Sequence, residues 1–132
     1  MKRGVLLAAV TVALLVIVGG SAAYAQDVAT VNVPFKFNVG KSILNPGKYE
    51  VTVAADQRTI TLTPEHGNAT VTPAITRLAQ QMVMSDAKLV FDKVGEQYAL
   101  SEVWLPTEDG YLVHDTKAPH QHHILTGEMK KK

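Results

Sequence analysis

The stretch TVNVPFKFNVG, residues 30 to 40, decides how this chain is read. Val31, Val33, Phe35, Phe37 and Val39 point one way, and Thr30, Asn32, Pro34, Lys36 and Asn38 point the other. An apolar set at every second position is the signature of a strand with one buried face. Pro34 falls on the polar face and has no N–H for a ladder, so the expectation is an edge strand or a bulge there.

The same grammar continues downstream. Asn45-Pro46-Gly47 carries type II turn chemistry, with proline presetting φ and glycine following it. Tyr49, Val51 and Val53 then alternate with Lys48, Glu50 and Thr52. AADQ reads as a turn, RTITLT as a strand with Ile60 and Leu62 inward, and PEHGN as another turn. ATVTPAITRLA reads as a strand interrupted at Pro73. Residues 75 to 84 favour a strand running into a loop over a short helix, because β-branched residues precede them and turns flank them.

KLVFDKV and YALSEVWL flank Gly95-Glu96-Gln97, a hairpin pattern with a short glycine-containing connection. Tyr98, Leu100 and Trp104 share one face by alternation, and Glu102 falls awkwardly among them. Phe35, Phe37, Phe91, Tyr49, Tyr98 and Trp104 are expected to pack inward, whereas Tyr111, after Asp109-Gly110, is expected at the surface. GYLVH opens a last strand. Short strands with turn signals about every ten residues predict an all-β fold, a small antiparallel sandwich or barrel.

The N-terminus has a different character. Lys2 and Arg3 precede an uncharged apolar run at residues 5 to 18, and Ala23-Tyr24-Ala25 has the small-x-small form of a cleavage site. These features predict a secretory signal peptide over residues 1 to 25, with an uncleaved membrane anchor as the competing reading. The run is short of the roughly 20 residues that cross a bilayer, so no membrane span is expected after cleavage. The expected organisation is thus a signal peptide at 1–25, a β-sandwich or barrel domain at 26–126, and a basic tail at 127–132. The destination is the periplasm or the extracellular space.

Of 13 basic residues, removal of Lys2 and Arg3 leaves 11 against 12 acidic ones. A chain so close to neutral, whose basic cluster is the terminal Lys130-Lys131-Lys132, has no electrostatic footprint for nucleic acid. There is no cysteine, so no disulfide scaffold supports the fold.

VPFKFNVG and LNPGKYEV, within residues 33 to 51, together with LVFDKVGEQYALSEVW at 89 to 104, resemble a group of small, exported, uncharacterised β-rich bacterial proteins. Their pattern is Val-Pro-Phe-x-Phe-x-Val-Gly followed by Leu-Pro-Ala-Gly-x-Tyr-x-Val. Here Asn45-Pro46 stands where Pro-Ala precedes the glycine. The resemblance implies an exported β-rich protein and brings no activity, cofactor or site residue with it.

Four of the five histidines, His114, His120, His122 and His123, fall within ten residues. In an extended segment His120 and His122 share a face and His123 points away. His114 and Asp115 could fold back toward them to complete a zinc or copper site. The spacing matches no strong metal motif, and the plainer alternative is a polar loop or strand end with solvated imidazoles. Ser42, Ser85 and Ser101 lie in no nucleophile elbow, and Asp92 and Glu102 would form a carboxylate pair only if the strands bring them together. The leading expectation is therefore a non-enzymatic envelope protein of structural or binding role, its partner a protein or envelope component. A metal-binding module built on the four histidines is the second.

Overall fold

The computed structural model describes residues 27–80, 85–106 and 108–131; the expected signal peptide lies outside them. Eleven strands form the described fold: β1 Asp27–Val33, β2 Phe37–Val39, β3 Ser42–Leu44, β4 Gly47–Val53, β5 Thr59–Pro64, β6 Thr70–Pro73, β7 Thr76–Leu78, β8 Ala87–Val94, β9 Gln97–Trp104, β10 Gly110–Leu112 and β11 Gln121–Lys131. They make one nearly closed, barrel-like sheet in the order β3-β2-β9-β8-β11-β1-β4-β5-β6, with β10 bridging β9 and β7. All pairings are antiparallel except a short parallel contact of β2 with β9 at Asn38 and Ala99. None of the described residues is helical, and no described helix is long and apolar enough to cross a membrane.

Alternation does most of the sorting. Val31, Val33, Phe37, Val39, Tyr49, Val51, Val53, Ile60 and Leu62 all enter one buried cluster. Removing such side chains from water is the main stabilising term, about 1.5–3 kcal/mol for each fully buried large aliphatic residue. The 30–40 stretch is nonetheless two strands. β1 stops before Pro34, where the backbone loses its donor, and β2 resumes at Phe37 beside β9. β1 is also an interior strand, flanked by β4 and β11, so the expected edge position is corrected. The turn after Ala54 closes through Gln57 N–H donating to Ala54 O at 2.8 Å and Arg58 N–H to Asp56 Oδ1 at 3.0 Å.

Two further departures matter for the site. The first is a β-bulge. Val90 pairs with Glu102 but Phe91 pairs with Leu100, so Ser101 has no residue opposite it. The extra residue reverses the inward parity of β9. Leu100, Val103 and Leu105 face the core, while Glu102 and Trp104 turn to the other side. The placing of Trp104 in the core is thereby corrected. Its indole Nε1–H donates instead to Glu102 Oε1 at 2.8 Å, and its ring lies over Gly110. Tyr111, expected at the surface, is 1% exposed and belongs to the core, because it pairs with inward-facing Val103.

The second departure is β11. The expected domain ends at residue 126 and leaves 127–132 as a basic tail, yet β11 continues through Lys131 and pairs with β1 from Glu128 onward. Its first part, Gln121–Gly127, pairs with β8. This one polar strand therefore joins the two halves of the sheet. Gly127 sits at the handover, pressed against Thr30 and Val31 of β1, where a side chain has no room. The segment 75–84 contains strand β7 at Thr76–Leu78; residues 81–84 lie outside the described set.

Candidate metal centre

Asp92 is an acid in the apolar strand β8, and it is 2% exposed. A buried carboxylate needs charge-assisted partners, because desolvating it alone is costly. Alternation places Asp92 opposite Phe91 in facing, and antiparallel pairing sets His122 of β11 directly across from it. His122 Nδ1 lies 2.9 Å from Asp92 Oδ1. His120 Nε2 approaches the same oxygen to 3.7 Å. The two imidazoles stand 5.0 Å apart, nearly perpendicular.

One donor atom from each of Asp92, His120 and His122 lies within 4.8 Å of the other two. Bonds of about 2.0–2.1 Å to zinc in tetrahedral geometry put neighbouring donors roughly 3.3 Å apart. The two separations from the Asp92 oxygen, 2.9 and 3.7 Å, bracket that value.

His120 is further prepared by its neighbour. Its Nδ1 lies 2.8 Å from the carbonyl oxygen of Ala118. A carbonyl can only accept, so Nδ1 carries a proton, and in the neutral ring Nε2 is the nitrogen left to bind a metal. Backbone carbonyls orient metal-binding histidines in this way in known sites. The connection from β10 to β11 is held at its other end by the bulge. Ser101 Oγ–H donates to His114 O at 2.9 Å, and Val113 N–H donates to Ser101 O at 2.7 Å. The residue that breaks the β9 register thus anchors the loop that delivers His120.

Of the four expected histidines, the fold unites His120 and His122 and separates the others. His123 faces the opposite way, edge-on to Phe35 at 5.3 Å and to Tyr98 at 5.8 Å, beside the Phe35–Tyr98 stack. That assignment as a ligand is corrected: strand alternation turns His123 onto the Phe91 side of β11. His114 is exposed and stands outside the donor group, so it too is corrected. Asp115, the expected extra ligand, is tied to Lys117 Nζ at 2.7 Å, and the ammonium holds its carboxyl below the usual range. Glu102 does not pair with Asp92; it accepts from Trp104.

Asp92 as a ligand was not read from sequence. Its signal is the acid that ends the apolar run Leu89-Val90-Phe91, because an acid drawn into a core strand demands a partner. No family model matches the chain, and comparisons with curated proteins and with solved structures return no match.

Proposed function

We propose that this chain is an exported, non-enzymatic β-barrel module that binds a transition metal ion, zinc or copper, through Asp92, His120 and His122. The observation that carries the reading is the convergence of one buried carboxylate oxygen and two imidazole nitrogens, with the His120 tautomer set by Ala118. Two imidazoles and one carboxylate form a donor set of intermediate softness, suited to zinc or copper(II) and poorly matched to calcium or magnesium. Export rests on the N-terminal leader of Lys2, Arg3, the apolar run and Ala23-Tyr24-Ala25.

The test is a zinc and copper titration of the untagged protein, beside Asp92→Asn and His120→Ala/His122→Ala. Saturable one-to-one binding at about micromolar or tighter, roughly −8 kcal/mol, that both variants lose, supports the reading. Weak binding without stoichiometry, unchanged in the variants, overturns it. A second reading then stands, favoured by the direct Asp92–His122 contact: the pair is a structural clasp across β8 and β11, in an envelope protein that engages another protein or envelope component.

A further inference from the structure

Zinc and copper(II) do not compete equally for a centre of this kind. For a fixed set of nitrogen and oxygen donors, divalent affinity rises along the first-row series to copper and falls again at zinc. The donor spacing also admits copper. A square-planar ion with bonds of about 2.0 Å sets adjacent donors roughly 2.8 Å apart and opposite donors roughly 4 Å apart. From Asp92 Oδ1, His122 Nδ1 lies at 2.9 Å and His120 Nε2 at 3.7 Å. The first separation suits an adjacent pair and the second is close to an opposite one.

Oxidation state is the sharper discriminator. Copper(I) is soft and favours thiolate and thioether sulfur, whereas a carboxylate oxygen is hard. The chain has no cysteine. Among the described residues the one sulfur is that of Met129, in the part of β11 that pairs with β1, beyond Gly127 from His122. The hard donor, Asp92, is 2% exposed. With so little water around it, its attraction for an ion is weakly screened, and that attraction halves when the ion drops from two charges to one. The carboxylate and the lack of sulfur donors among the converging residues therefore both favour the higher oxidation state. The side chains of His122 and His120 are 56% and 23% exposed, which leaves a path for an electron donor and for a departing ion.

We infer that the centre selects copper(II) over zinc and releases its copper on reduction to copper(I). The inference rests on the metal-binding reading above and names what regulates it. One electron, from an external donor of the ascorbate class, enters the copper ion. No bond within the protein is oxidised or reduced. The bonds from copper to Asp92, His120 and His122 break, and copper(I) leaves for an acceptor with softer donors.

Copper(II) is paramagnetic and zinc is not, so electron paramagnetic resonance follows the copper-loaded centre directly. The experiment sets zinc against copper(II) on the untagged protein, beside His120→Ala/His122→Ala. It then measures copper(I) affinity without oxygen, with ascorbate present and bathocuproine disulfonate as the competing chelator. The expected result is a preference for copper(II) over zinc of at least about tenfold, and copper(I) held at least about tenfold more weakly than copper(II). The double variant should lose the nitrogen-coupled copper(II) signal. A protein that binds neither zinc nor copper(II) at this centre defeats the metal-binding reading, and this inference with it. Zinc bound here as tightly as copper(II) leaves the metal site standing and overturns the selection. Copper(I) held as tightly as copper(II) overturns release on reduction. A copper(II) signal that survives in the double variant places the copper elsewhere and overturns the inference, while zinc binding lost in the same variant keeps the metal site.

Discussion

Asp92 and His122 face each other across the β8–β11 ladder, with Oδ1 and Nδ1 2.9 Å apart, one side chain buried and the other half in water. The contact joins the acid of an apolar strand to the strand that links both halves of the sheet.

Asp92→Asn keeps the volume and a hydrogen bond to His122 but removes the charge. Denaturant unfolding should show a loss of about 1 kcal/mol, while zinc affinity falls at least tenfold. His122→Ala strands the buried carboxylate. The expected cost is about 1–2 kcal/mol, limited because the exposed position lets water reach the oxygen. Equal zinc affinity in parent and both variants would remove Asp92 and His122 from the site.

His123→Ala should leave metal binding untouched. It loses two edge-on aromatic contacts to Phe35 and Tyr98, worth about 0.5–1.5 kcal/mol in thermal or denaturant unfolding. His114→Ala, at an exposed position outside the donor group, should change neither quantity. A titration series of the four single histidine variants separates the convergent pair from the other two.

Gly110→Ala places a Cβ 2.6 Å from the Trp104 ring. The indole must move and break its bond to Glu102. Destabilisation of about 1–3 kcal/mol is expected, with a red-shifted emission spectrum as the ring meets more water. Trp104 is the only tryptophan, so the fluorescence reports on this contact alone.

Gly127→Ala tests the handover in β11. A Cβ there would fall 2.5 Å from the carbonyl oxygen of Thr30, backbone that cannot rotate away. The strand must shift off β1, at a cost of about 1–3 kcal/mol or more. Hydrogen exchange should quicken in the paired segments Asp27–Thr30 and Glu128–Lys131 before it does in the β8–β9 hairpin.

Burial, with Glu108 Oε1 2.6 Å from its hydroxyl, pushes the Tyr111 phenol well above its ordinary value of about 10. A raised acid pKa means that the folded state holds the proton longer than the unfolded one. Stability from this group is therefore complete below about pH 10 and declines as pH rises above it. Tyr111→Phe should flatten the alkaline side of the stability profile, and ultraviolet titration should show one fewer late-ionising tyrosine in that variant, with Tyr49, whose phenol burial also raises, remaining.

The legible part of the fold is the part whose information is local. In β4 and β5, Tyr49, Val51, Val53, Ile60 and Leu62 reach the core as alternation requires, and turn residues mark where strands end. β11 was legible only at its histidines. Only Leu125 and Met129 of its side chains pack against the core, and both only partly, so the apolar pattern on this strand is too weak to announce its central place. Trp104 misled because one unpaired residue, Ser101, inverts parity for everything after it, and no local signal announces a bulge.

By itself the sequence determined an all-β chain, its turn positions, most of its core, and a histidine-rich segment near the C-terminus. Side-chain alternation has a period of two residues, so it can be read without knowing any partner strand. Tertiary structure alone decided that β11 joins β8 to β1, that Tyr111 goes inside and Trp104 does not, and that two histidines meet Asp92, 28 and 30 positions earlier in the chain. Those outcomes depend on which strands pair and in what register. Register is a relation between distant segments, settled by the whole sheet closing on its core.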